Sequence, residues 1–140
     1  MDAAAALERL REISSQVRTA VIFERGGKIV GSTLDDGDRA KRVAAEAEGL
    51  LDDAERRRGD GEGQAEFAQL EVALRDGSVF VVRDAERLIV ATTPPEPTVG
   101  LVFYDLKSTL RELAAEPASK KRAPARRKPA ARTTKKDAKS

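Results

Sequence analysis

The sequence predicts an α+β domain with a five-stranded, mostly antiparallel sheet and helices on both faces, in the order α-β-β-α-β-β-β-α. Three observations predict it. Five runs rich in β-branched and aromatic residues have strand character. Gly26-Gly27 and Asp76-Gly77 separate neighbouring runs by turns short enough for antiparallel hairpins. Three further segments space their apolar residues by three and four, as helices with one buried face do.

Residues 2–16 carry Leu7, Leu10 and Ile13 at helical spacing between Glu8, Arg9, Arg11 and Glu12, which predicts an amphipathic helix. In VRTAVIFE, residues 17–24, the centre from Ala20 to Phe23 is apolar on both alternating faces, as in a central strand covered on both sides. The turn Arg25-Gly26-Gly27 leads into a second strand, KIVGST. Residues 38–58 place Ala40, Val43, Ala44, Ala47, Leu50, Leu51 and Ala54 on one face of a long helix. Its neighbouring stripe holds Ala45 and Gly49. A mid-helix glycine costs about 0.5–1 kcal/mol against alanine, so either another helix approaches closely there or Gly49 is a neutral accident.

The three glycines of RGDGEGQ, residues 58–64, mark a flexible loop. Residues 66–75, 78–83 and 87–93 then form an antiparallel meander, with Asp76-Gly77 and Asp84-Ala85-Glu86 as its turns. In the first of these strands Ala68, Leu70, Val72 and Leu74 alternate with Phe67, Gln69, Glu71 and Ala73. Pro94, Pro95 and Pro97 end the sheet, and Thr98 caps a last helix with the stripe Val99, Val102, Phe103, Leu106, Leu110 and Leu113, closed by Pro117. Residues 1–116 thus form the domain. Residues 117–140 have no apolar side chain larger than alanine and contain three prolines, a composition that predicts a disordered tail.

A formal net charge of +2 conceals a sharp division. The tail holds ten basic residues (Lys120, Lys121, Arg122, Arg126, Arg127, Lys128, Arg132, Lys135, Lys136 and Lys139) against Asp137, while the body holds 16 basic and 23 acidic residues. Such a run neutralises phosphates without reading bases, because it has no aromatic to stack; nonspecific nucleic-acid binding is the functional reading. An acidic protein, the acidic body and simple solvation are the others. The absence of Cys and His excludes disulfides, thiolate nucleophiles, imidazole bases and the usual zinc or haem ligand sets, so no cofactor or metal is expected. No window approaches about 18 apolar residues and the amino terminus lacks a signal-peptide pattern, which points to a cytoplasmic protein without membrane contact.

The candidate chemical motifs are weak. RGGKIVGST, residues 25–33, spaces Gly26 and Gly31 as a P-loop does, but Ser32 stands where the lysine belongs and Lys28, Ile29 and Val30 have strand chemistry, so a hairpin is the reading. Asp35-Asp36 and Asp52-Asp53 read as solvated surface, and no serine has a nucleophile elbow or a histidine to serve it. Tyr104 reads as a half-buried aromatic, and Arg56-Arg57-Arg58 as a complement to the helix dipole.

The hairpin AVIFERGGKIVGST and the segment PTVGLVFYDLKSTLREL, within an element order spanning about Leu7 to Leu113, resemble the roadblock / dynein light chain family. The resemblance implies a noncatalytic regulator or scaffold, working as a homodimer or heterodimer and in bacteria often alongside a small Ras-like GTPase. It further implies that the long central helices and the third strands pair, which makes Ala45, Gly49, Phe67, Gln69 and Glu71 the expected interface residues. The basic tail lies outside the family's domain.

Overall fold

A computed structural model describes residues 2–58 and 67–122 of the chain. The elements are α1 (Ala3–Ile13), β1 (Thr19–Glu24), β2 (Ile29–Ser32), α2 (Gly37–Arg58), β3 (Phe67–Leu74), β4 (Gly77–Asp84), β5 (Arg87–Thr93) and α3 (Val99–Arg122), the order the sequence predicts. The glycine-rich loop and the tail beyond Arg122 fall outside the described residues.

One antiparallel sheet runs β2-β1-β5-β4-β3. Strand β1 lies between β2 and β5, and Ala20, Val21, Ile22 and Phe23 are all buried because helices cover both of its faces. On one face α1 and α3 bury Leu7, Leu10, Val102, Leu106 and Leu110 against Ala20, Ile22, Phe80, Val82 and Ile89. Phe103 meets Phe80 edge to face with ring centroids 4.9 Å apart. On the other face α2 alone packs Ala40, Ala44, Ala47 and Leu51 against Val21, Phe23, Val81, Leu88 and Val90. Three of its four fully buried positions are alanines, so the helix backbone sits low on the sheet.

Local signals explain the boundaries. Asp2 caps α1 by accepting the Ala5 N–H at 2.9 Å, and Ser14 ends it, two residues short of the expected stop at Gln16. Asp36, read from sequence as solvated surface, caps α2 by accepting from the N–H groups of Asp38 and Arg39. Thr98 precedes α3, and its N–H donates to Gln16 Oε1 at 2.7 Å.

Helix α3 corrects one boundary: it passes through Pro117 and ends at Arg122, so the first six residues of the expected disordered tail continue a helix. Proline removes one hydrogen bond, to the carbonyl of Leu113, but its fixed φ is helical and the surrounding Ala, Glu, Lys and Arg residues are strong helix formers.

Candidate interaction surface

The two edges of the sheet are built differently. Strand β2 is four residues long, and its register against β1 shifts between Ile22 and Phe23. A Cβ added at Gly31 would lie 2.8 Å from Ala3 Cβ and 3.3 Å from Leu7 Cδ1, so the missing side chain is what lets α1 close over this edge. That settles RGGKIVGST as a hairpin. Gly26 and Gly27 adopt φ of 92° and 98° in the turn, and Gly31 lies within a strand rather than in a phosphate cradle.

At the opposite edge β3 runs eight residues in unbroken register with β4, from Phe67 opposite Asp84 to Leu74 opposite Gly77. Among the described residues no strand pairs with its other side. It has no proline, lysine or bulge, the devices that normally blunt an exposed edge. Its α2-facing residues Ala68 and Leu70 join the α2 core, and alternation carries Val72 and Leu74 onto the same face, where Leu74 is 59% exposed.

Helix α2 adds apolar surface on that face. Leu50, expected inside, is 45% exposed. It follows Val43 by seven residues and precedes Ala54 by four, so the three lie along one flank of the helix. Ala45 and Gly49 are exposed on the side away from the sheet, and nothing lies within 4 Å of a Cβ built at Gly49.

The five expected interface residues therefore divide. Ala45 and Gly49 share the outer surface of α2, whereas Phe67, Gln69 and Glu71 alternate onto the face of β3 that α3 flanks. There Lys107 Nζ lies 5.5 Å from the Phe67 ring centre, and Ser78 Oγ donates to Glu71 Oε2 at 3.2 Å. Tyr104, expected half-buried, is 64% exposed, with Leu101 and Val99 also exposed on α3.

What holds α2 beside this edge is a buried ion pair that sequence patterning missed. Arg83 of β4, 1% exposed, faces α2 and donates to Glu55 Oε2 at 2.6 Å, with Asp52 Oδ1 at 3.8 Å. Its signal was available: Arg83 alternates with Val79 and Val81, and Asp52 and Glu55 are three apart on a helix. Seven residues before Glu55 on the same flank of α2, Glu48 accepts the Gly26 N–H at 3.2 Å and ties the helix to the β1–β2 turn.

On the opposite face Asp105 of α3 is buried beside Ser14 at the end of α1. Burial pushes its carboxyl above the usual carboxylate range, opposed in part by the Ser14 hydroxyl. Asp53 moves the other way, held down by its hydrogen bond to Arg57. No group of three or more potential metal-ligating side chains occurs among the described residues. An open depression of about 360 Å³ between Glu24, the β4–β5 turn and Ala114 carries charges of both signs. No helix among the described residues is long and apolar enough to cross a membrane.

A five-stranded antiparallel sheet with two helices on one face and one long helix on the other is the fold this chain shares with solved Roadblock/LC7 domains. Solved structures with this architecture match the chain along most of its length. A Roadblock/LC7 domain from Streptomyces avermitilis is 21% identical, with a TM-score of 0.70 over 84% of this chain and 99% of that one. MglB from Myxococcus xanthus is 17% identical, with a TM-score of 0.63 over 84% and 95% of the two chains. The gliding protein MglB from Thermus thermophilus is 16% identical, with a TM-score of 0.62 over 81% and 86%. No family model matches the sequence, and no curated protein matches it.

Proposed function

We propose that this chain is a noncatalytic, cytoplasmic regulatory or scaffolding protein that works as a homodimer and serves a small Ras-like GTPase or a signalling complex. The observation that carries the reading is the open β3 edge, flanked on one face by exposed Leu74 and Leu50. Pairing β3 with its copy would satisfy one row of backbone donors and acceptors and cover that apolar surface. Ala45 and Gly49 would then let two α2 helices approach closely, while Phe67, Gln69 and Glu71 would enter through the strand backbone. A structural neighbour described as MglB with tetrameric arrangement, 18% identical with a TM-score of 0.58, supports self-association in this fold. The GTPase partner follows from the roadblock resemblance, and the lack of His, Cys and any acid–base dyad favours a noncatalytic role.

Sedimentation velocity tests the dimer. The wild type is expected to dimerise, and Leu74→Lys and Gly49→Leu to weaken association at least tenfold while keeping a native circular dichroism spectrum, because both sites are open to solvent in the protomer. A monomeric wild type would refute the reading. For the partner, GTP hydrolysis by a small GTPase should change when the protein is added, with no hydrolysis by the protein alone.

A second reading rests on the basic tail: two tails on one dimer would give a bivalent, sequence-independent anchor for nucleic acid. Deleting residues 123–140 removes seven of the ten basic residues and leaves α3 whole. Binding to a random DNA duplex should fall with that deletion, and for the full chain log K should decline with log salt at about −0.9 per neutralised phosphate. Unchanged binding by the truncated protein would refute it.

A further inference from the structure

At the end of the sheet beside the open edge, the β3–β4 turn and the last residues of β5 line an open depression of about 230 Å³. Arg18, just before β1, and Arg75, just after β3, both line it, together with the apolar side chains of Leu74 and Val79 and the hydroxyl residues Thr92 and Thr93. We propose that this depression binds a small oxyanion, a phosphate or a carboxylate on a short apolar body.

The first argument is the state of the two guanidinium groups. Arg9, Arg25, Arg56, Arg57, Arg83 and Arg111 each have a carboxylate within 4 Å. Arg18 and Arg75, like Arg11, Arg39, Arg42 and Arg87, have no ion pair among the described residues, but these two border one depression, together with Asp76. Two chain segments far apart in sequence thus bring two cations to one concavity, against a single carboxylate. The guanidinium fork is shaped to grip the paired oxygens of a carboxylate or phosphate.

The second argument is what the remaining polar groups can offer. Thr93 Oγ1 donates to the Pro94 carbonyl at 2.9 Å, Ser78 Oγ donates to Glu71, and the hydroxyls of Thr92 and Thr19 share a hydrogen bond of 2.7 Å. These hydroxyl donors are largely engaged, so the depression's unused donors are on the arginines. That selects an acceptor-rich, negatively charged ligand over a neutral one.

Size sets the class. At about 230 Å³ the depression is smaller than the roughly 300–1,000 Å³ of drug-sized sites and suits a small anion. Leu74 and Val79 form an apolar wall against which a few methylenes can lie. Both arginines are exposed, so binding weakens as salt rises. All its lining residues belong to one protomer, and it shares Leu74 with the edge at which β3 is proposed to pair.

The test is an amide NMR titration of the full chain with sodium phosphate and, separately, sodium butyrate, at ionic strength held constant with sodium chloride. Saturable shifts are expected at Gly77, Ser78 and Thr92 with at least one anion. Arg18→Gln and Arg75→Gln should each weaken binding at least fivefold and the double variant should abolish it, whereas Arg39→Gln on α2 leaves it unchanged. A response to phosphate alone identifies the phosphoryl group, and a stronger response to butyrate identifies a carboxylate with an apolar body. Shifts that never saturate, shifts absent with both anions, or saturable binding retained in the double variant would overturn the site.

Discussion

The two edges of this sheet receive opposite treatment from the same chain. At β2 the strand is short, its register breaks, and α1 closes over it through the space left at Gly31. At β3 the strand is twice as long, regular and apolar on one face, and no element among the described residues covers it. Among the described residues, then, one domain blunts one edge of its sheet and leaves the other straight.

Each edge has an anchor in the helix beside it, so breaking the anchors tests the contrast. The largest effect is expected from Arg83→Ala, which strands Glu55 in the interior beside the open edge. A loss of about 3–5 kcal/mol in urea unfolding would mark the ion pair as what holds α2 down. A loss under about 1 kcal/mol would show α2 to be held by its alanines alone. Gly31→Leu comes next. Its Cβ would already crowd Ala3, and overpacking should cost about 1–3 kcal/mol, measured by thermal and urea unfolding. A neutral result would mean that α1 sits loosely and the β2 edge is less closed than its geometry shows.

The smallest effect concerns Asp105, which meets Ser14 where α1 joins α3. Its folded-state pKa is raised, so the native state holds the proton more tightly than the unfolded chain does. The contribution is therefore most favourable below the ordinary carboxylate pKa. It is lost as pH rises from there through the raised value. Asp105→Asn should flatten this part of the stability profile between acid and neutral pH and leave the protein slightly more stable at pH 7. An unchanged profile would assign the pH dependence to other carboxylates.

Element order and strand pairing were legible because apolar period distinguishes helix from strand and Gly-Gly and Asp-Gly mark turns. The same periodicity misplaced Leu50, Ile13 and Val99, all exposed, because an apolar stripe reports which residues avoid water without saying which neighbour covers them. Arg83 was missed for the converse reason: patterning puts charges outside, and its partners lie about 30 residues away on another element. At the expected interface, helix periodicity set Ala45 and Gly49 on a stripe next to the buried one, and the structure turns both to the side of α2 away from the sheet. Strand alternation left open which side of β3 joins α2, and the structure gives that side to Ala68, Leu70 and their alternates. Pro117 misled because a lost hydrogen bond weakens a helix without ending it when strong helix formers flank it.

The continuation of α3 has an electrostatic consequence. At about 1.5 Å per residue, Arg122 stands roughly 13 Å along the helix axis beyond Leu113, which packs on the sheet. The screening length at physiological salt is about 8 Å. Along the helix axis Lys120, Lys121 and Arg122 thus lie more than one screening length from Leu113, and the attraction of the acidic body for them is weakened accordingly.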